Sequence, residues 1–163
     1  MILMVGLGNP GKKYQNNRHN VGQMFVNYLN EKLKIKNEEL KIAKTDCFMN
    51  VSGVFVKKLT SHYSLSTSHL IIAHDDLDIP LGKFHIQFAS GPQLHNGLDS
   101  IEQHLKTKDF WRIRIGVDNR SPDKRMAGEK YSLQNFLPKE KRLLENEIFP
   151  KIFSQFKLDF KML

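Results

Sequence analysis

Near the start of the chain the hydrophobic pattern changes period, and that change constrains the fold more than any other feature. Met1 to Leu7 is an apolar run that halts at Gly8-Asn9-Pro10-Gly11, as a buried strand does when it reaches a loop. From Asn20 onward Val21, Met24, Phe25, Tyr28, Leu29 and Leu33 recur at intervals of three and four. That spacing describes one face of a helix, with Asn20 as its expected N-cap and His19 just before the first turn.

The same switch recurs along the chain. Leu40 to Ala43 and Cys47 to Val51 read as short extended segments, and a helix follows with Phe55, Leu59 and Tyr63 turned inward. Leu70 to Ala73 is an aliphatic run that stops at His74-Asp75-Asp76, so Asp75 is expected at a strand end. Lys83 to Phe88 and Trp111 to Val117 alternate apolar with polar residues and read as half-buried strands. Between them Ser90-Gly91-Pro92 leads through His95-Asn96-Gly97 into a helix with Leu98, Ile101 and Leu105 inward. Asp118 to Gly128 is polar and poorly patterned, a mobile surface loop by expectation. Lys139 to Phe156 is helical in pattern, and Pro150 should kink or divide it. Strands alternating with helices predict the α/β class, a mixed twisted central sheet flanked by helices. At 163 residues the chain is expected to form a single domain.

Composition narrows the partners. A formal charge of +8 on so short a chain attracts polyanions, nucleic acid first among them, although solvated lysines alone give the same total. The lone Cys47 excludes an internal disulfide framework and a cysteine-rich zinc site, which suits the cytoplasm. No apolar run has the length of a signal peptide core or a membrane span, so no membrane partner is expected.

Gly6-Leu7-Gly8-Asn9-Pro10-Gly11 satisfies the G-x-G-x-x-G string of dinucleotide sites, but its context does not. Pro10 removes a backbone donor where phosphate needs one, and the next helix begins too late to offer its N-terminus. His74-Asp75-Asp76-Leu77-Asp78 lacks the distant ligands of a metal site, so neither metal nor organic cofactor is expected. The stronger constellation is scattered: Asn9, His19, Asn50, Asp75 and Asn96 all fall at the ends of predicted elements. In an open α/β sheet such ends converge on one crevice. A neutral imidazole can take a proton from water while a carboxylate orients the ring, and uncharged carboxamides can hold a carbonyl and a developing oxyanion. These types suit ester hydrolysis by activated water. Taken singly, an Asn next to glycine or before a helix is more often a turn or cap residue, and a His before a helix is more often a surface residue.

At these positions the sequence resembles the bacterial peptidyl-tRNA hydrolase family. The likeness runs in order from residue 1 to about residue 137, through Val5-Gly6-Leu7-Gly8-Asn9-Pro10-Gly11, Tyr14, Arg18-His19-Asn20-Val21-Gly22, Phe48-Met49-Asn50-Val51-Ser52-Gly53, His74 to Gly82, His95-Asn96-Gly97-Leu98 and Arg112-Ile113-Arg114-Ile115-Gly116. The resemblance implies cleavage of the ester between a peptide and the 3′-terminal ribose of tRNA, with peptidyl-tRNA as partner, no cofactor and a monomeric protein. By matching motif it implies His19 as the base, Asp75 as its orienting partner, and Asn9, Asn50 and Asn96 as positioning amides. Tyr14 and Met49 would line the cleft.

Two departures stand out. The segment before His95, glycine-rich in the family, reads Ser90-Gly91-Pro92-Gln93-Leu94, stiffer and bulkier. After Lys83 the outward positions of the next strand are His85 and Gln87, where basic residues usually help to hold phosphate. Lys83 and Arg114 are therefore the expected tRNA phosphate contacts, Arg114 sharing a strand face with Arg112. The competing reading is an RNA-binding protein on the same scaffold without catalysis.

Overall fold

In the computed structural model, which describes residues 1–33 and 39–161, the first apolar run is a central strand. β1 (Ile2–Gly6) lies between β2 (Leu40–Lys44) and β3 (Leu70–Pro80), parallel to both. β5 (Trp111–Asp118) continues the sheet parallel to β3, and β4 (Phe84–Phe88) closes the far edge antiparallel to β5. The order β2-β1-β3-β5-β4 makes the mixed five-stranded sheet that strand and helix alternation predicts.

Period-2 alternation sorts the strand side chains onto two helical layers. Met4, Ile71, Ile113 and Ile115 pack against α1 (Val21–Lys32) and the C-terminal helices through Phe25, Leu29, Phe149 and Ile152. Leu3, Val5, Leu70 and Ile72 pack on the opposite face against Val56 of α2 (Ser52–His62) and Leu98 and Ile101 of α3 (Asn96–Leu105). The C-terminal helical pattern is divided as Pro150 requires, into α5 (Pro138–Leu143), a wide π turn (Leu144–Ile148) and α6 (Phe149–Asp159), with the short α4 (Gly128–Ser132) before them. Pro150 has no N–H to give to the preceding turn, so the ladder is interrupted there while the backbone stays helical, and the turn before it widens, the Phe149 N–H bonding back to the Leu144 carbonyl.

Four expectations need correction. Cys47 to Val51 is not extended: Met49–Val51 forms a 3-10 turn leading into α2, and Phe48 and Val51 are exposed. On α2 it is Val56 and Thr60 that are buried, with Phe55, Leu59 and Tyr63 half-buried beside them. Asp75 is not at a strand end, because β3 runs on to Pro80 paired with β5, Asp75 opposite Ile115. The apolar run stops early because β1 pairs with β3 only as far as Gly6 opposite Ala73. Beyond that point β3 borders a crevice on its β1 side while remaining paired with β5 on the other. Asn20, finally, makes no capping bond with its side chain.

The crevice lies where the chain leaves β1 toward β2 on one side and leaves β3 toward β5 on the other, the usual place for a ligand in an open sheet. α1 approaches it very closely: a Cβ at Gly22 would stand 2.1 Å from the Ala73 carbonyl oxygen, and one at Gly6 would stand 2.4 Å from the Gly22 oxygen. Both obstacles are backbone, which cannot rotate away. Gly22→Ala should therefore destabilise the protein by about 3 kcal/mol, at the upper end of overpacking costs. Urea unfolding measures this, and a midpoint equal to that of the parent would show that α1 is free to retreat.

Candidate active site

Asp75 is the centre of the crevice. Its side chain is 3% exposed and accepts hydrogen bonds from two imidazoles: His19 Nδ1 lies 2.8 and 2.9 Å from its two oxygens, and His95 Nε2 lies 2.8 Å from Oδ1. Burial alone would favour a neutral carboxyl, but the charges and N–H bonds of His19 and His95 hold Asp75 well below the usual carboxylate range. For His19, burial works against the imidazolium; the charge of Asp75 and the hydrogen bond to it outweigh that penalty and raise its pKa above the ordinary histidine value.

The second imidazole has a fixed tautomer. His95 is the N-cap of α3, and its Nδ1 accepts the backbone N–H groups of Gly97 at 3.2 Å and Leu98 at 3.3 Å. A ring nitrogen that accepts carries no proton, so the proton of neutral His95 is on Nε2 and is donated to Asp75. His19, bonded through Nδ1, keeps Nε2 as the nitrogen free to act on solvent; its side chain is 13% exposed. The rings of His19 and His95 lie 5.0 Å apart.

His19, Asp75 and His95 bring potential ligand atoms within 4.8 Å of one another. Their bonding suits protons better than a cation. A metal on His95 Nε2 would have to displace its proton while Nδ1 is already an acceptor, forcing an imidazolate where metal-bound histidines ordinarily donate from the other nitrogen.

Asn9 enters from the loop after β1. Its Oδ1 accepts the Met49 backbone N–H at 2.8 Å, which leaves the side-chain NH2 with no partner among the described residues. The backbone of Asn9 is itself clamped, its N–H to Asn20 Oδ1 and its carbonyl to Asn20 Nδ2, both at 2.9 Å. That long-range clamp is the work of Asn20, in place of the cap expected of it. Met49 is buried against the first turn of α3, where a Cβ at Gly97 would come within 2.5 Å of its sulfur. Asn50 and Asn96 flank this contact; both are exposed and neither bonds to the His-Asp cluster. Tyr14 stands at the outer edge, its ring edge-on to Phe48 with centroids 6.3 Å apart.

The two expected phosphate contacts part company. Lys83 is exposed, and its carbonyl receives the Gly116 N–H at the end of β5 that borders the crevice. Arg114 is turned inward, Nε to Asp76 Oδ2 and Nη1 to Gln87 Oε1, both at 2.7 Å. Arg112 is buried and bonds to Glu102 at 2.8 Å. In the altered loop, Gln93 donates its backbone N–H to Asp78, and Leu94 is 87% exposed beside His95.

Sequence reasoning missed His95, His74, Asp76, Arg18 and the true role of Asn20. His95 was legible only as a candidate helix cap, a polar residue two places before glycine at a helix start. His74 is fully buried and its Nδ1 donates to the Asp75 carbonyl at 2.7 Å, its ring set edge-on against His95. Burial and the neighbouring His95 push its pKa down to about 3.

That depression has a consequence for stability. The unfolded chain binds a proton at His74 below about pH 6.5, the folded protein only near 3, so acidification through this window favours unfolding. The raised pKa of His19 acts in the opposite direction, its contribution being complete below the unfolded value. Asp75, held low, costs stability only below the ordinary carboxylate range. Between pH 7 and 5 the parent should lose about 2 kcal/mol more than His74→Gln, which shares every other titration. Denaturant unfolding at the two pH values measures the difference, and equal slopes would contradict a buried neutral His74.

The sequence profile described as peptidyl-tRNA hydrolase matches residues 3–159. A peptidyl-tRNA hydrolase of Aquifex aeolicus is 36% identical over 162 residues, covering 90% of this chain and 83% of the relative, and one of Listeria innocua is 38% identical over 133 residues, covering 72% of each. The crystal structure of peptidyl-tRNA hydrolase from Acinetobacter baumannii superposes with a TM-score of 0.82 at 30% identity, over 97% of this chain and 87% of that one.

Proposed function

Because the chain belongs to the peptidyl-tRNA hydrolase family, we propose that its crevice hydrolyses the peptidyl-tRNA ester with His19 as general base. The activity is that of a carboxylic ester hydrolase, releasing free tRNA and peptide. The observation that carries the role of His19 is its 2.8 Å bond to an Asp75 buried and held ionised.

In this reading water is the nucleophile. His19 Nε2 takes one proton from water as the oxygen attacks the ester carbonyl, and the charge that develops on the ring is stabilised by Asp75. The carbonyl oxygen gains the electron pair and becomes the oxyanion of a tetrahedral intermediate. The unpartnered NH2 of Asn9 is suited to donate to it, with Asn50 and Asn96 holding the substrate from the exposed side. Collapse breaks the bond to the ribose oxygen, which leaves with the proton that His19 returns. Tyr14 and Met49 shape the peptide side of the cleft. Lys83 meets a tRNA phosphate, and Arg114 would join it by trading Gln87 for a phosphate oxygen.

Residues 1–163 act as one domain in this reading, monomeric and cytoplasmic, without metal or cofactor. No helix among the described residues is long and apolar enough to cross a membrane. A binder without catalysis has no chemical need for a buried carboxylate shared by two imidazoles.

N-blocked aminoacyl-tRNA should be turned over many times by the purified protein. His19→Ala should lower kcat about 10²- to 10⁴-fold while KM changes little. Asp75→Asn should also lower kcat, and the acidic limb of its residual activity should move to lower pH. Asp75 is what raises the pKa of His19, so without its charge the ring stays neutral further into acid. Full turnover by His19→Ala, or an acidic limb unmoved in Asp75→Asn, would remove His19 from the role of base.

A further inference from the structure

The turn that carries His19 is held from a distant part of the chain. Arg18 is buried over the Tyr131 ring, its guanidinium carbon 4.1 Å from the centroid and 5.5 Å from that of Phe136. Its Nη1 donates to the carbonyls of Gln134 and Asn135 at 3.3 and 2.8 Å, and its Nη2 to Glu140 Oε2 at 2.8 Å. The backbone adds to the grip: Arg18 N–H to Gln134 O at 3.0 Å, Phe136 N–H to Asn16 O at 2.9 Å, and a bridge between Asn17 and Asn135.

Glu140 is the hub at the other end. It is buried in the first turn of α5 and accepts from Arg18, from the Leu137 N–H at 2.8 Å and from Asn119 Nδ2 at 3.0 Å. One carboxylate thus gathers the start of α5, the residue just after β5 and the residue before His19. On the other side of His19, Asn20 clamps the Asn9 backbone. His19 is therefore bracketed by two buried residues, each bonded to a different part of the fold.

We propose that Arg18 and Glu140 are positioning residues for the hydrolysis, an ion pair that sets the height of His19 over Asp75 and makes the C-terminal helices part of the catalytic apparatus. The inference rests on His19 being the base. A general base loses effectiveness when displaced by fractions of an ångström, so loss of the bracket should appear in turnover rather than in substrate affinity.

The discriminating variant is Arg18→Met/Glu140→Leu. Apolar replacement of a buried ion pair commonly preserves or raises stability. The groups it releases, the Gln134 and Asn135 carbonyls, the Leu137 N–H and the Asn119 amide, all belong to exposed residues and can turn to water. If the pair only stabilises the fold, kcat should follow Tm back to the parent value. If it positions His19, the double variant should melt near the parent and still turn over about tenfold more slowly at unchanged KM. Its acidic limb should also shift downward, because Asp75 from β3 and His95 from α3 are the titratable groups facing His19 and a looser contact with Asp75 raises its pKa less.

Glu140→Gln supplies the second reading. It keeps an oxygen for the Leu137 N–H and removes the charge that holds Arg18, and it should show the same kcat loss and the same downward limb. Parent kcat with an unmoved limb in either variant overturns the proposal, as does kcat that recovers in step with Tm. His19→Ala assayed alongside separates the two failures: an inactive His19→Ala beside fully active pair variants leaves the base in place and removes only the bracket.

Discussion

The structure is organised around one buried negative charge. A carboxylate removed from water is costly unless hydrogen bonds and opposite charge replace its hydration, and among the described residues no arginine or lysine provides them to Asp75. It has two imidazoles, one from the turn before α1 and one from the N-terminus of α3. Those elements pack on opposite faces of the sheet, so only their junction at the end of β1 can bring both rings to one side chain. The early stop of β1 at Gly6, the passage of β3 beyond it and the close seat of α1 at Gly22 are the conditions under which this junction forms.

The two imidazoles are not equivalent, and the difference follows from backbone geometry. The first turn of a helix has N–H groups in need of acceptors, and α3 spends two of them on His95 Nδ1. That ring therefore donates to Asp75 and has no nitrogen left to exchange protons with substrate. His19 has no such commitment on Nε2. The helix terminus thereby makes one ring a fixed donor and leaves the other as the base of the proposed mechanism, although both rings touch the same carboxylate oxygen. His74 adds a further ring, bonded to the carbonyl of Asp75 and kept neutral by burial and by the neighbouring His95. The side chain and the carbonyl of Asp75 are thus each held by an imidazole N–H.

Much of the fold was legible because it depends on local periodicity. The strands at Met1–Leu7 and Trp111–Val117, the helix from Val21 and the break at Pro150 all follow from spacing and from the missing N–H of proline. The site was legible where a polar residue interrupts an apolar run, which is how Asn9 and Asp75 stand out. It was not legible where a residue type has a commoner local explanation. Asn20 has the look of a helix cap, yet its amide bonds across the crevice to Asn9; His95 is indeed a cap, and nothing in the sequence says that its other nitrogen meets a carboxylate twenty residues away. Arg18 and Glu140 are separated by 122 positions, and their contact depends on the packing of the C-terminal helices rather than on any pattern within either segment. The Cys47 to Val51 run misled for the converse reason: its apolar residues border an open cleft, so their hydrophobicity does not report a strand.

The same distinction between inner and outer groups governs the net charge. Arg18, Arg112, Arg114 and Arg120 each face a carboxylate within the protein, at 2.7 to 2.8 Å, and are largely buried. A planar guanidinium with several fixed donors suits such sites, whereas a strongly hydrated ammonium does not. The lysines lie outward: Lys12, Lys13, Lys57, Lys58 and Lys83 are all exposed. The arginines cancel internal acids and contribute structure, so the positive field available to a polyanion is mostly that of flexible lysines. Contacts of that kind attract phosphate without demanding one geometry, and their strength falls as salt rises. In the proposed mechanism, affinity for the nucleic acid therefore falls to the exposed lysines and alignment of the ester to the buried bracket around His19.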